Sequence, residues 1–520
     1  MGAARRFLES SRASGRWAEL AATAAVGALL SVPLVHTALW PFALACIAVL
    51  YGRVSHAGVG RAALLGGVFG SCWLGASVWW LFISMHRYGG LFAPLAALAV
   101  LLLSAALSLL LAAAMALFAR LRRGTAGRDA LLFAGCWLLA ELARGVVFTG
   151  FPWGAAGYTQ IDGPLAALAP WLGVYGIGAV AAWIAAAGVG AVPRRVGFSP
   201  PGTGGLKPTL QAAAAVMLLI ALWLAPRAEF TASAGRLRVA LLQTNVAQDE
   251  KFSAEQLPQE LAWVAGRLFE SNAELIVTPE TAVPLLPGQL EQFDPGYWPS
   301  LAARFRAGAR AALVGVPLGD FEHGYTNSVA GLSTAGEYRY DKHHLVPFGE
   351  FIPFGFRWFV DLMRIPLGDF GRGPLVAPPF AVKGQRVTPN ICYEDLFGEE
   401  LAALFADEPR APTVLANVSN IAWFGDTVAV GQHLNISRMR ALELQRPMLR
   451  ATNTGATAIV DHRGRVAAML PPFTQGVLEG EVEGRTGLTP FARWAARAGV
   501  WPLVLAALLL IAAALLGKRP

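Results

Sequence analysis

Long apolar runs alternate with short polar connectors over the first 226 residues of the chain. A helix needs roughly 20 mostly apolar residues to cross a bilayer, and eight segments of the chain are candidates for such helices. The predicted spans are residues 19–35, 40–51, 62–83, 91–118, 130–148, 165–192, 209–225 and, near the other end of the chain, 500–516. The pattern therefore predicts a polytopic α-helical membrane bundle of about eight spans.

Between the seventh and eighth spans the pattern changes to short β-rich runs, at residues 237–242, 275–278, 312–316, 328–332, 387–392, 414–417 and 456–460. Helical patterns cover residues 257–269 and 430–446. This alternation predicts an α/β layered domain, and the nearly continuous apolar strands predict sheets that are covered on both faces. We expect three parts: a transmembrane domain at 1–226, a water-facing domain at 227–493 and a C-terminal transmembrane helix at 494–520.

The composition supports a membrane class, because 55% of the residues are apolar and only 15% are charged. The net charge of +8 does not indicate a nucleic-acid partner, since the basic residues form short clusters between apolar runs. These clusters fall in alternate loops, and cytoplasmic loops retain Lys and Arg. We therefore expect both termini in the cytoplasm and residues 227–493 on the outer face, which in a bacterium is the periplasmic side of the inner membrane. No cleavable signal is evident.

Two charged residues lie inside the fifth predicted span. Glu141 and Arg144 are three residues apart, so they share one helix face and can pair. Charged side chains in a span are costly unless they are satisfied, which favours a structural ion pair over a substrate contact. The loop that follows, 150–158, contains Phe151, Pro152 and Trp153 and is typical of an aromatic anchor at the membrane interface.

Candidate chemistry is concentrated in the polar domain. Cys46, Cys72 and Cys136 lie in apolar segments, where cysteine behaves as a small hydrophobic residue, whereas Cys392 is the only cysteine of the polar domain and has no disulfide partner there. Glu280 and Cys392 follow or close predicted strands, and Lys342 belongs to a separate motif. Each residue alone has an ordinary explanation: a buried filler for the thiol, a turn residue for the carboxylate and a solvated surface position for the lysine.

Together the three local strings are more specific. Glu280 lies in Thr-Pro-Glu-Thr-Ala-Val-Pro, Lys342 in Tyr-Asp-Lys-His-His-Leu-Val-Pro-Phe-Gly-Glu and Cys392 in Asn-Ile-Cys-Tyr-Glu-Asp. This order resembles the Glu-Lys-Cys triad of the nitrilase superfamily. With the strings at 420–426 and 438–447 and the flanking spans, nearly the whole chain resembles the apolipoprotein N-acyltransferase branch. Two departures are visible: Thr278 stands where the family often has Trp or Val, and Phe252 stands where some members have Trp.

The resemblance implies a nitrilase-like αββα sandwich carried by the membrane bundle, and it implies roles for the triad. Glu280 is the general base, Cys392 the nucleophile and Lys342 the group that stabilises the oxyanion. The implied reaction transfers an acyl chain from the sn-1 position of a phospholipid, through a Cys392 thioester, to the α-amine of the diacylglyceryl-cysteine of an apolipoprotein. A thiol near its reference pKa of about 8.5 is mostly protonated at neutral pH, so it needs a base or a cationic neighbour.

Further residues of the matched motifs are candidates for supporting roles. Glu350, Tyr393 and Glu394 flank the triad, while Trp423 and Phe252 are candidates for contact with the acyl chain. The aromatic-rich stretch at 351–365 fits either a hydrophobic lip that dips into the bilayer or a surface that packs on the bundle. We expect no cofactor and no metal, because His343 and His344 lack a third partner at ligand spacing. We also expect a monomer that binds lipid and lipoprotein but no nucleic acid.

Two other functions remain open at this point. A membrane-tethered amidase or nitrilase would hydrolyse a carbon-nitrogen bond at the same triad, with water resolving the thioester. A transporter or receptor would use Glu141 and Arg144 in a path and the outer domain only for binding. The absence of an obvious internal repeat among the spans disfavours the transporter.

Overall fold

The computed structural model describes residues 2–191, 206–251, 253–353, 355, 357 and 369–516. Its first part contains seven long helices that overlap the seven predicted spans. They are α1 (Gly2–Leu29), α2 (Trp40–Val54), α3 (Val59–Val78), α4 (Ala93–Leu121), α5 (Ala126–Val146), α6 (Ala169–Ala191) and α7 (Leu206–Leu224). Helices α1 to α6 are long and apolar enough to span a membrane. The apolar part of α7, Leu210–Leu224, is shorter. The predicted helical bundle is confirmed.

Glu141 and Arg144 on α5 form the predicted ion pair, at 3.5 Å, and both are buried. Arg144 also donates hydrogen bonds to the carbonyl oxygens of Phe151 (2.8 Å) and Trp153 (2.7 Å), while Glu141 accepts one from the Ala156 amide (2.7 Å). The pair therefore clamps the loop that follows α5. The interpretation of this loop as an aromatic anchor at the membrane interface is wrong at Trp153, which is only 4% exposed because it packs against His433 and Gln432 of the polar domain.

The polar domain that follows α7 contains twelve strands among the described residues. They are β1 (Ala232–Gln243), β2 (Leu275–Val277), β3 (Ala311–Asp320), β4 (Gly324–Ser333), β5 (Gly336–Asp341), β6 (Phe380–Val382), β7 (Gln385–Ile391), β8 (Val414–Ser419), β9 (Met448–Thr452), β10 (Ala458–Val460), β11 (Val466–Met469) and β12 (Gly476–Thr486). They form two six-stranded sheets with the orders β12-β1-β2-β3-β4-β5 and β11-β10-β9-β8-β7-β6. In the centre of each sheet three strands run parallel: β1, β2 and β3 in one, β7, β8 and β9 in the other.

Helices cover the outer face of each sheet. Those of the domain are α8 (Leu257–Glu270), α9 (Pro287–Phe293), α10 (Tyr297–Arg306), α11 (Gly398–Ala403) and α12 (Ala429–Leu444). One apolar cluster lies between the sheets, a second lies between the first sheet and α8 to α10, and a third joins the second sheet to α11 and α12. Apolar side chains on both faces of the central strands thus produce the αββα sandwich that was predicted.

The chain ends in two helices, α13 (Pro490–Ala498) and α14 (Trp501–Leu515), which are bent by 100° relative to each other. Thr489 caps α13, accepting a hydrogen bond from the Ala492 amide, and Gly499 at the bend has a φ of 52°. The predicted count of about eight spans is approximate: six helices pass the length and hydropathy test, the bent pair adds a seventh, and α7 is shorter.

Candidate active site

The structure brings the predicted carboxylate and ammonium groups into one buried cluster. Glu280 follows β2 and Lys342 follows β5, and the Lys342 Nζ lies 3.6 Å from the Glu280 Oε1. The same Nζ donates a 2.9 Å hydrogen bond to the Glu350 Oε1. Lys342 is 1% exposed, and both carboxylates are 8% exposed. A buried lysine is therefore held between two buried carboxylates, and water screens their charges weakly.

Asn327, on β4, keeps the two carboxylates apart. Its Nδ2 donates to the Glu280 Oε1 and to the Glu350 Oε1, both at 2.7 Å. The backbone carbonyl of the same residue accepts a hydrogen bond from the Lys342 amide. Asn327 thus fixes all three groups through one side chain and its own backbone.

The second oxygen of Glu280 is fixed from the other sheet. The Asn420 amide, just beyond β8, donates to the Glu280 Oε2 at 2.7 Å. The side chain of Asn420 donates in turn to Gln248 (2.9 Å) and accepts from Asn453 (2.9 Å). Strands β2 and β8 belong to different sheets. The carboxylate of Glu280 therefore lies where the carboxyl ends of the parallel strands of the two sheets meet.

Cys392 lies at the end of β7 in a strained turn. Its φ is 53°, a left-handed value that non-glycine residues adopt rarely and at a cost of about 1–3 kcal/mol. The carbonyl oxygen of Cys392 accepts hydrogen bonds from Asn417 Nδ2 and from the His433 ring, both at 3.3 Å. These two hydrogen bonds hold the turn through its backbone, and Cys392 itself is half-buried.

A fully buried polar cluster supports this turn from below. Arg450 donates to the Asp395 carboxylate at 3.3 Å and lies 3.1 Å from the His433 Nδ1, and His433 Nε2 is 3.1 Å from Asp395. Ser437 donates a short hydrogen bond to Asp395. Since the Arg450 guanidinium can only donate, His433 accepts at Nδ1 and donates from Nε2 toward Asp395 and the Cys392 carbonyl.

Burial and the neighbouring charges together determine whether the Cys392 thiol carries its proton in the resting enzyme. Burial raises the pKa of the Cys392 thiol well above its ordinary value, the Glu280 carboxylate raises it further, and the Lys342 ammonium opposes them. For Lys342 burial would lower the pKa, but the Glu350 and Glu280 carboxylates outweigh it, so the pKa of this lysine is raised. The resting site therefore contains a protonated thiol beside a firmly charged ammonium.

Glu394 and Tyr393 link the Cys392 turn to its surroundings. Glu394 Oε2 accepts from the Ile391 amide and the Tyr340 hydroxyl, and its Oε1 accepts from the amides of His343 and His344. It thereby joins the strand before Cys392 to the loop after Lys342. Tyr393 donates from its hydroxyl to the Gly150 carbonyl at 3.0 Å, which connects the turn to the membrane bundle.

Of the two aromatic residues predicted to contact the acyl chain, the structure describes Trp423 but not Phe252. Trp423 is half-buried and makes an edge contact with Tyr88 of the bundle, at 5.7 Å between ring centroids. Its neighbour Phe424 belongs to an apolar cluster that touches Cys392 and also contains Ile421, Val430, Leu434, Ala456 and Phe473. Phe252 and most of the stretch at 351–365 lie outside the described residues. An acyl chain attached to Cys392 would therefore meet apolar side chains at once.

Several residues of the site were not predicted from the sequence: Asn327, Gln248, Asn417, Asn453, His433 and Arg450. These residues do not belong to a recognisable local sequence motif, so their place in the site is visible only in the folded structure. Asn420 was part of a matched string, but the sequence did not predict that its backbone amide donates to Glu280. Within the described ranges no group of three His, Cys, Asp or Glu side chains is arranged to hold a metal ion.

Comparison with known proteins defines the class of protein first. Residues 238–491 match the carbon-nitrogen hydrolase family, and residues 26–187 match the apolipoprotein N-acyltransferase N-terminal domain. The sandwich domain and the bundle together thus define a membrane-embedded protein with a carbon-nitrogen hydrolase domain.

Relatives then identify the branch. The chain is 51% identical to the apolipoprotein N-acyltransferase of Verminephrobacter eiseniae, over 93% of each chain. It is 47% identical to that of Ralstonia nicotianae, over 88% of this chain and 85% of the relative, and 43% identical to that of Bordetella bronchiseptica, over 97% and 98%. The chain belongs to the apolipoprotein N-acyltransferase family, and the resemblance predicted from its motifs is confirmed.

Proposed function

We propose that the protein transfers an acyl chain from the sn-1 position of a membrane phospholipid, through a thioester on Cys392, to the N-terminal α-amine of the diacylglyceryl-cysteine of apolipoproteins. The observation that carries this proposal is the position of Cys392. It interacts with a buried carboxylate and ammonium cluster, and it also touches an apolar cluster whose member Phe424 contacts Trp80 of the membrane bundle. Such a site suits a long acyl chain better than a small polar substrate.

In the first half-reaction Glu280 is the general base. The resting thiol is protonated, so proton transfer to Glu280 accompanies attack of the sulfur on the ester carbonyl. Negative charge develops on the carbonyl oxygen, and the Lys342 ammonium stabilises it. The C–O bond of the ester then breaks, the proton passes from Glu280 to the leaving alkoxide, and a lysophospholipid departs.

In the second half-reaction the α-amine of the acceptor attacks the thioester. Glu280 takes a proton from the amine, the C–S bond breaks, and Glu280 returns that proton to the leaving Cys392 thiolate. The product carries an amide, and the enzyme returns to its resting state. The two substrates thus bind and react in turn, giving ping-pong kinetics.

The supporting residues have proposed roles that follow from their contacts. Glu350 holds Lys342 in place, Glu394 fixes the Cys392 turn to the Lys342 loop, and Tyr393 ties that turn to the bundle. We assign Trp423 and Phe252 to contact with the acyl chain. For the stretch at 351–365 both hypotheses from the sequence stay open: a hydrophobic lip at the bilayer, or a surface that packs on the bundle.

We further propose an inner-membrane location with both termini in the cytoplasm and the catalytic domain in the periplasm. The domain limits are 1–226, 227–493 and 494–520, and the protein acts as a monomer. The alternating basic loops support this orientation. A reporter fused to the C-terminus tests it, because cytoplasmic and periplasmic reporters are active on opposite sides.

The rival function, hydrolysis of a carbon-nitrogen bond by a membrane-tethered amidase, is not favoured by the family to which the chain belongs. The decisive experiment first loads purified enzyme with an acyl chain from phospholipid. A diacylated lipopeptide with a free α-amine is then added, and the same peptide with an acetylated amine is the matched control. Transfer only to the free amine supports the proposal, whereas equal loss of the acyl group with either peptide, through water, would support hydrolysis.

A further inference from the structure

A second buried lysine lies directly behind Glu280. Lys251 is 4% exposed, and its Nζ donates a 3.2 Å hydrogen bond to the backbone carbonyl of Glu280 and a short one to the Thr281 hydroxyl. Thr281 has a φ of 49°, so this turn adopts a conformation that requires external support. The ammonium therefore supports the strained turn that presents the general base.

The loop that carries Lys251 is itself fixed. Asn453 donates to the Val246 carbonyl and accepts from the Val246 amide, both at 2.8 Å. Gln248 accepts from the Asn420 side chain, and the amide of Asn420 holds the Glu280 carboxylate. One connected network thus positions both the backbone and the carboxylate of Glu280.

Lys251 also affects the charge balance of the site. Glu280 and Glu350 contribute two negative charges, and Lys342 contributes one positive charge. Without a further cation the cluster would carry a surplus negative charge beside the thiol, which disfavours formation of a thiolate. The Lys251 ammonium interacts electrostatically with Glu280, Glu260 and Cys392. Counted over the two glutamates and the two lysines alone, it brings the formal charge to zero.

We propose that Lys251 is a positioning residue of the acyl-transfer site, which holds the Glu280 turn and supplies the second positive charge that makes the Cys392 thiol ionisable. This inference rests on the proposed function of Cys392 and Glu280. It adds an electrostatic requirement that the triad alone does not contain.

The protonation of Lys251 depends on pH in the working range of an enzyme. Burial lowers its pKa to about 8, against the opposing influence of Glu280, Glu260 and Cys392. Burial also raises the pKa of Glu260, on α8, to about 7. A cavity of about 20 Å³ lined by Lys251, Glu260 and Thr281 has room for a water molecule that can exchange the proton. Lys251 is therefore mostly charged at pH 7 and mostly neutral above about pH 8.

The test uses the full-length enzyme and measures the rate at which iodoacetamide alkylates Cys392 as a function of pH, with the modified peptide identified by mass spectrometry. This readout does not require acyl transfer, so it separates failure of this inference from failure of the proposed function. Lys251→Met removes the charge and the donor, Lys251→Gln removes the charge but keeps a donor, and the exposed Lys383→Met is the matched control. In both Lys251 variants the midpoint is expected to move up by about one pH unit, or about tenfold in rate at a fixed pH below it.

An unchanged midpoint in both Lys251 variants would overturn the inference, and so would a shift with Met but not with Gln, because a donor alone would then suffice. If the variants do not fold, the pH dependence of the wild-type enzyme still tests the inference. Its first half-reaction, measured as release of lysophospholipid without acceptor, is expected to slow above about pH 8 as Lys251 loses its proton. A rate that keeps rising through pH 9 would contradict the proposed role.

Discussion

At the scale of single residues, the site depends on keeping two carboxylates close to one ammonium without direct repulsion between them. Asn327 does this with one amide nitrogen that donates to Glu280 and Glu350 at 2.7 Å each. The amide carries no charge, and it is 4% exposed. Its donor hydrogens compensate part of the cost of burying the two carboxylates.

Replacing Asn327 with Asp is expected to lower the rate of Cys392 acylation by about 100-fold, because both 2.7 Å contacts become repulsive and a third carboxylate raises the proton affinity of its neighbours. Acylation is measured by lysophospholipid release. The exposed Asn272→Asp is the matched control and is expected to behave like the wild type. Equal rates for the two variants would show that Asn327 does not separate the carboxylates.

The candidate triad of Glu280, Lys342 and Cys392 could be proposed from the sequence because each member lies in its own local string, and its catalytic roles stay a prediction. The protonation of the thiol could not, since it depends on burial and on the Glu280 charge, which are properties of the assembled site. Asn327 and Asn420 carry no chemistry of their own, and they act through distances set by the fold.

At the scale of elements, the turn after β2 is packed against the middle of β3. A Cβ atom on Gly315 would lie 2.1 Å from the Pro279 carbonyl oxygen and 3.0 Å from the Glu280 Cα. Both neighbours are backbone atoms, which cannot swing aside as a side chain would. Gly315 thus permits the close approach that places Glu280 at the sheet edge.

Gly315→Ala is expected to destabilise the protein by about 1–3 kcal/mol, as overpacking does, and to reduce acylation by displacing Glu280. Thermal unfolding in detergent and lysophospholipid release measure the two effects. Gly266→Ala on α8 is the matched control, because nothing lies within 4 Å of its Cβ position. That variant is expected to be unchanged or slightly more stable. Wild-type stability of Gly315→Ala would contradict the packing argument.

Hydrophobic periodicity predicted most elements of the fold. The seven predicted strands correspond to β1, β2, β3, β4, β7, β8 and β10, and the two predicted helices to α8 and α12. Strands β5, β6, β9, β11 and β12 were missed. Charged residues or glycine interrupt the apolar pattern in β5, β9 and β12, such as Arg450 in β9 and three glutamates in β12. Strands β6 and β11 are only three and four residues long, and tertiary contacts rather than propensity stabilise such strands.

At the scale of the whole molecule, the bundle and the catalytic domain share a core. One apolar cluster contains Trp80, Trp153 and Leu503 from the membrane part of the chain together with Phe397 and Met439 from the sandwich domain. Gln432 on α12 accepts hydrogen bonds from the indoles of Trp153 (2.8 Å) and Trp80 (3.2 Å). The Trp153 ring also stacks on His433, which contacts the Cys392 carbonyl. The bundle therefore packs against residues that support the Cys392 turn.

Gln432→Leu is expected to destabilise the protein by about 1–3 kcal/mol, because it leaves the buried Trp153 N–H without its acceptor. Acylation is expected to fall as well, since Trp153 packs on His433. The exposed Gln259→Leu serves as the control for the change in polarity. A normal unfolding temperature and normal acylation in Gln432→Leu would show that the interface does not support the site.

This interface could not be predicted from the sequence. Trp153 was assigned to the lipid interface because an aromatic residue after a span has the same pattern whether it faces lipid or another domain. The partners that bury it, Trp80 and the residues of α12, come from distant parts of the chain. Local patterns report how apolar a position is and do not report what covers it.

The central claim is that Cys392 accepts an acyl chain from phospholipid. The most direct measurement is the mass of the Cys392 peptide after purified enzyme has been incubated with phospholipid of defined acyl composition and no acceptor. The account predicts a mass increase equal to that acyl group, removable by neutral hydroxylamine as a thioester is, and absent in Cys392→Ala. An adduct that survives in Cys392→Ala, or no adduct on the wild-type thiol while acyl transfer proceeds, would contradict it.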